Sequence, residues 1–218
     1  MLRPLLLTTL VVLIVFALIL SAVDPHDRTT WLLEVLPAAV LLPLLMYSHR
    51  RFPLSSLLYL LLGIMALGLI AGGHYSFARV PLGFWLQDWL DLARNPYDRL
   101  GHVLQGVIPA LFAREWLIRG NRVNGRHLLP FLCVCVALMV SAVYELVEWA
   151  AALALGQGAD EFLGMQGDEW DTQADMFCAL LGSIAAMTVL VPLHNRSLAA
   201  LAAPCNTLNQ RAGKRLVD

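Results

Sequence analysis

The chain has 218 residues, 59% of them hydrophobic and 14% charged, with a mean hydropathy of +0.68. Soluble domains carry about a quarter charged residues, so this composition excludes an ordinary soluble fold and indicates an integral membrane protein. A formal net charge of -1 argues against nucleic acid as a partner, since phosphate binding needs a clustered basic surface.

Leu5 to Val23 is a nearly unbroken apolar run behind Arg3, long enough at about 20 residues to cross the hydrocarbon core. Ser21-Ala22 offers a signal-peptide cleavage site as a competing reading, but the run is long for a signal h-region, and a retained helix is expected. A second span is expected from about Trp31 to Tyr47, with Glu34 near its start and the SHRRFP segment (Ser48 to Pro53) behind it. The third runs from Leu54 to Gly73. Between His74 and Pro96 the sequence is amphipathic: Leu82, Trp85, Trp89 and Leu92 share one helical face, and Gln87, Asp88, Asp91 and Arg94 share another. A short interfacial helix before span four fits this pattern. Spans four, five and six are expected from about Tyr97 to Ile118, Leu128 to Ala152 and Thr172 to Leu193.

The fold class expected is therefore all-α, a polytopic transmembrane bundle of about six spans. Residues 1–195 form one membrane domain and residues 196–218 a polar cytoplasmic tail. Six spans put 11 of the 15 basic residues on the side of the termini, so by the positive-inside rule both termini are cytoplasmic. The segment joining spans five and six has no Lys or Arg and faces outward, and Trp31, Trp85, Trp89, Trp149 and Trp170 gather near that boundary. Cys133 and Cys135 would point to nearly opposite sides of a helix, while Cys178 and Cys205 are isolated, so all four are read as small apolar side chains.

The residues that do not suit a bilayer cluster at the outward level. Asp98 and His102 open span four, Glu145 and Glu148 lie in the outer part of span five, and Asp168, Asp171 and Asp175 open span six. Glu34 and His74 sit at the same level, and the cytoplasmic half shows no counterpart. At about 100° per residue, positions three, four and seven apart share a face. Asp98, His102, Gln105 and Pro109 then make one stripe, Ser141, Glu145 and Glu148 a second, and Asp168, Asp171, Asp175 and Gly182 a third. Gly101, Gly106, Gly156, Gly158, Gly164, Gly167 and Gly182 supply turns or close backbone approaches.

Some of these acids have simpler readings. Asn95-Pro96-Tyr97-Asp98 resembles a helix cap followed by Pro at the first position, and Asp168 with Asp171 can be a cap and its partner. Asp160, Glu161 and Glu169 read as solvated, and Asp88 and Asp91 as the wet face of the interfacial helix. Capping does not account for His102, Glu145, Glu148 or Asp175, which lie inside apolar segments and must be paired, protonated or metal-bound. Arg99 is the nearest counter-ion in sequence, and a purely structural ion network is the plain alternative. Carboxylates with an imidazole on three helices can instead hold a divalent ion, although no ligand spacing matches a strong metal motif. Without an ion the same groups can serve as general acid and base.

Three runs, YDRLGH (Tyr97 to His102), YELVEW (Tyr144 to Trp149) and FLGMQGDEWDTQADM (Phe162 to Met176), resemble the YjdF-like family of bacterial inner-membrane proteins, a domain of unknown function with about six spans. The resemblance covers most of the chain and implies an inner-membrane location but no activity. The chain is also faintly similar to VanZ-like membrane proteins. Their Asp, basic residue and His opening one helix, intramembrane Glu and Asp-rich following helix correspond to Asp98-Arg99 with His102, Glu145, and Asp171 with Asp175. Glu148 and the glycine-rich FLGMQGD insertion depart from that pattern, and shared architecture does not transfer a substrate.

The functional expectation is an outward pocket acting on an envelope lipid or lipid-linked precursor, with membrane lipids as surroundings and a divalent metal ion as the cofactor the cluster would take. His102 and Glu148 are the proton-transfer candidates, and Glu145, Asp171, Asp175, Asp98 and Asp168 the ligand candidates. A small proton-coupled transporter and a non-catalytic scaffold for envelope enzymes are the alternatives.

Overall fold

A computed structural model describes residues 2–123, 125–156 and 165–214, and all regular structure in them is helical. The elements are α1 (Leu2–Ser21), α2 (Arg28–His49), α3 (Ser56–Tyr75), a 3-10 turn (Phe77–Arg79), α4 (Pro81–Leu90), α5 (Tyr97–Arg119), α6 (Leu128–Leu155), α7 (Asp171–Thr188) and α8 (Val191–Lys214). Expectations for Gly158, Asp160, Glu161 and Gly164 fall outside the described residues.

Among the described residues, three helices are long and apolar enough to cross a membrane: Arg28–Tyr47, Ser56–Tyr75 and Leu128–Ala154. A fourth is reached if α7 and Val191–Ala202 count as one crossing bent by 62°. Leu5–Ser21 is apolar but shorter. Helix α5 carries Asp98, Arg99, Arg114, Glu115 and Arg119, more charge than a lipid-facing span bears, and it is shielded by its neighbours: it packs against α3, α6 and, most extensively, α7. Large apolar side chains such as Phe16, Leu44, Phe131, Val143 and Leu153 point away from the protein, the arrangement expected where hydrocarbon replaces water.

Polar contacts sort the helix termini into two groups. At one end, His74 Nδ1 meets the Ser21 carbonyl (3.0 Å), the His26 amide donates to the His74 carbonyl (2.9 Å), and Trp31 Nε1–H donates to Ser21 Oγ (3.0 Å), which gathers the end of α1, the start of α2 and the end of α3. Asp27 caps α2 by accepting the Thr30 amide (2.7 Å), and that bond holds its carboxyl below the usual carboxylate range. At the other end, the Ser55 amide donates to Glu115 (3.0 Å) and the Leu57 amide to Ser197 Oγ (3.1 Å), gathering α3, α5 and α8. Between the ends lie two buried apolar clusters, one around Leu58, Ile108, Leu111 and Cys133, the other around Ile14, Val35, Leu69 and Phe77.

Two local expectations need correcting. The sixth span is not one continuous helix to Leu193: it breaks at Val189–Leu190, where Pro192 has no amide to donate to the carbonyl of Thr188. The interfacial helix α4 ends at Leu90, with Asp91 in the left-handed region at φ 51°. Leu92 and Arg94 therefore leave the faces assigned to them. Trp85 and Trp89 stay on α4, stacked at 5.9 Å and largely exposed, as membrane-surface anchors are.

Candidate functional site

The site is built where α5 and α7 begin and α6 nears its end. Asn95 sets the entry to α5: its side chain accepts the Tyr97 amide (3.0 Å) and donates to the Val80 carbonyl (3.1 Å). The helix begins at Tyr97 with Pro96 in the cap position and no side-chain cap bond, so the expected Asn95 cap is replaced by a turn in which Asn95 accepts the Tyr97 amide. A side chain at Gly83 would collide with the Asn95 amide, which lets α4 lie against this turn. Gln166, itself in the left-handed region at φ 50°, clasps the Asn95 backbone on both sides, accepting its N–H (3.1 Å) and donating to its carbonyl (3.0 Å). The approaches to α5 and α7 are thereby fixed to each other.

Helices α5 and α7 then meet at two glycines. A Cβ on Gly106 would strike the Ala179 carbonyl oxygen, and one on Gly182 would strike the Val103 carbonyl oxygen, so each glycine receives the other helix's backbone. That approach brings the polar stripes of the two helices face to face.

An outer layer of charge covers the start of α7. Arg94 Nη1 donates to Asp171 (2.7 Å), Asp168 (3.3 Å) and the Met165 carbonyl (3.0 Å). Arg99 reaches Asp168 (3.0 Å), Asp171 (2.8 Å) and the Asp171 carbonyl (2.9 Å), and pairs with Asp175. Asp168 also accepts the Trp170 amide (2.9 Å), but Trp170 takes the cap position of α7 and has no side-chain cap bond, so the capping role read for Asp168 is not made. Arg99 was legible as a counter-ion. Arg94 was not, because on the polar face of an extended α4 it would have been solvated.

Beneath this layer lies His102, buried and flanked by three carboxylates from three helices. Its Nε2 is 3.5 Å from Asp98 Oδ1 and 3.7 Å from Asp175 Oδ1, and its Nδ1 is 3.7 Å from Glu145 Oε1. Nδ1 is also 2.9 Å from Gln105 Oε1, one turn along α5. An amide oxygen only accepts, so Nδ1 carries the proton and Nε2 faces two carboxylates. One ligand atom each from Asp98, His102 and Asp175 fall within 4.8 Å of one another. Glu145 Oε1 and Asp175 Oδ1 are buried oxygens that accept no aligned hydrogen bond among the described residues. Arg99 forms an ion pair with Asp175 Oδ1.

Glu148 is set off from that cluster but lines the same small cavity, of about 20 Å³, together with Glu34, Asp98, His102, Gln105 and Tyr144. Such a volume holds about one water-sized group. Of the seven sequence candidates, Asp98, His102, Glu145 and Asp175 converge on the imidazole. Glu148 joins them across the cavity, and Asp168 and Asp171 are held one layer out by arginines. Glu34, fully buried on α2, completes the wall; its level was read from the sequence and its inclusion was not.

The opposite end corrects the expectation that the cytoplasmic half has no polar counterpart. Glu115 and His194, both completely buried, are 3.3 Å apart. Arg114 donates to His194 Nδ1 (3.0 Å) and to Asn195 (2.7 Å), while Arg119 donates to Glu115 (2.7 Å) and the Pro53 carbonyl (2.7 Å) and covers the Phe52 ring. Because arginine only donates, His194 Nδ1 accepts and Nε2–H points at the carboxylate. In sequence these arginines counted towards orientation, which hid the one acid, Glu115, that they surround.

The family model described as "Predicted membrane protein (DUF2238)" matches residues 6–196. The inner membrane protein YjdF of Escherichia coli (strain K12) is 53% identical over 197 residues, covering 90% of this chain and 94% of that protein. No solved structure matches the chain.

Proposed function

The chain belongs to the DUF2238 family of predicted membrane proteins, and on that premise we propose that its carboxylate and histidine pocket faces outward and binds or processes an envelope lipid or lipid-linked precursor with the help of a divalent ion. The protein is a multi-pass inner-membrane protein. In this reading α1, α2, α3, α5, α6 and the α7–α8 pair are six spans, and both termini are cytoplasmic.

The observation that carries the proposal is His102, whose Nδ1–H is engaged by Gln105 while Nε2 faces Asp98 and Asp175. A second hydrogen bond that fixes the tautomer and aims the other nitrogen is the usual support of a metal-ligating histidine. Asp98, His102 and Asp175 are the ligands proposed, with Glu145 beside them and Asp168 and Asp171 orienting α7 through Arg94 and Arg99. The oxygen-rich set suits a hard divalent cation, and the imidazole admits zinc. A bound ion would polarise a phosphoryl or acyl oxygen of the head group. Glu148, across the cavity, is positioned to accept or return a proton.

The test is metal analysis of the purified protein beside the envelope phenotype of Asp98→Ala, Glu145→Ala and Asp175→Ala strains. The proposal expects near-stoichiometric metal in the wild type, lost in the Asp98 and Asp175 variants, and an envelope defect for all three. Folded variants indistinguishable from the wild type in both respects would refute it. A small proton-coupled carrier is a second reading, favoured by the buried Glu115–His194 cluster on the opposite side. Val107, Ile108 and Leu111 fill α5 between the two polar clusters, and proteoliposome flux separates the readings.

A further inference from the structure

Helix α8 begins where the last crossing is already complete. From Asp171, in the outer charge layer, the 18 residues of α7 cover about 27 Å at helical rise, against a hydrocarbon core of about 30 Å. The chain then bends by 62°, and the first turns of α8 are tied to the ends of other helices. His194 meets Glu115 one turn before α5 stops at Arg119, and Ser197 Oγ accepts the amide of Leu57, the second residue of α3. Of the α7–α8 pair, α7 therefore makes the crossing, and α8 starts at the level of the helix ends opposite the polar cavity. It continues for 24 residues, to Lys214.

The two sides of α8 differ. His194, Leu198 and Leu201, spaced by four and three residues, share the side turned to the helix ends and are buried or half-buried, while Asn195, Arg196 and Ala199 are exposed on the other. Along its whole length α8 carries Arg196, Arg211 and Lys214 and not one acid. The connections at the same end add the exposed Arg50, Arg51 and Arg126. Residues 48–57, 114–128 and 189–214 contain a single acid, Glu115. That carboxylate is buried and taken up by Arg119, His194 and the Ser55 amide, so it does not answer the exposed cations. We propose that α8 lies along the membrane surface at this end and binds anionic phospholipid head groups, its apolar side towards the hydrocarbon and its cations at the level of the phosphates. Charge selects the occupant, because a helix with three cations and no acid gains from a negatively charged surface and gains nothing from a neutral one. The inference is independent of the polar pocket. It rests on the reading that both termini are cytoplasmic only in naming the inner leaflet.

The full chain is reconstituted in nanodiscs of phosphatidylcholine, alone or mixed with phosphatidylglycerol, and backbone hydrogen exchange is followed across α8. Phosphatidylglycerol should slow exchange in α8, and Arg196→Gln, Arg211→Gln and Lys214→Gln should each give back about fivefold of that slowing, the worth of one basic residue at an anionic surface. High salt should act as the substitutions do, because it screens exposed charge. Exchange in α4, which has one acid and no basic residue, should be the same in both lipids. Exchange in α8 that is equally slow in both lipids overturns the proposal, since a helix sunk in hydrocarbon or docked on another copy of the chain would behave that way. Slowing by phosphatidylglycerol that survives the triple variant overturns it as well. Both leaflets of a nanodisc carry the same lipids, so orientation is tested apart: an alkaline phosphatase fused after Asp218 should be inactive in cells, and an active fusion would count against cytoplasmic termini and the inner leaflet while leaving the lipid contact standing.

Discussion

At the scale of single residues, the imidazole of His102 is the pivot, and its environment reduces to a question of which nitrogen holds the proton. The Gln105 carbonyl oxygen answers it at 2.9 Å. Gln105→Leu should keep the helix and the apolar packing but release the ring, lowering metal affinity about 10- to 100-fold in a competition titration with a chelating dye. Gln105→Glu, which preserves an acceptor, should retain most of the affinity. Asp98, His102, Glu145 and Asp175 were legible in sequence because an ionisable group inside an apolar run is costly and helical spacing shows which of them share a face. Gln166 and Arg94 were not, since a polar residue in a connection costs nothing to leave in water and nothing in the local sequence says that it will clasp another loop.

At the scale of elements, the α5–α7 contact decides whether the pocket exists. Adding one methyl at Gly106 pushes on the Ala179 carbonyl, a backbone atom that cannot swing aside. Gly106→Ala should therefore cost about 1–3 kcal/mol, read as a lowered thermal midpoint in detergent, and should weaken metal binding without touching a ligand. The sequence suggested small residues for close approach on these helices but not that Gly106 and Gly182 receive each other's helix. At the opposite end, the Glu115–His194–Arg114 contacts hold the first turn of α8 to α5, just past the 62° break. Glu115→Ala leaves Arg119 and His194 facing a buried gap and should destabilise the protein by about 3–5 kcal/mol. The Glu115→Ala/His194→Ala double variant should lose less than the sum of the two single losses, because the groups share one network. The break itself was legible at Pro192 only in retrospect: the apolar run passes straight through it, and hydropathy reports burial in lipid, not the direction of the chain.

For the whole molecule, the apolar runs specified a helical membrane protein, and the two groups of termini joined by hydrogen bonds show successive helices α1, α2 and α3 running in alternate directions. Among the six spans expected from the sequence, hydropathy was weakest for the fourth, α5, where five charged residues sit in one helix. Those charges are affordable because α3, α6 and α7 surround it, which is tertiary information that no window of sequence contains. The central claim is that this surrounded helix presents an outward site for a lipid head group. Native mass spectrometry of the protein released in a lipid-retaining detergent tests it most directly. The account predicts one lipid bound to each wild-type chain, retained in an Asp88→Asn control and lost in the Asp98→Asn/Asp175→Asn double variant. A wild-type protein that carries no lipid, or a double variant that keeps the same lipid at the same occupancy, would contradict it.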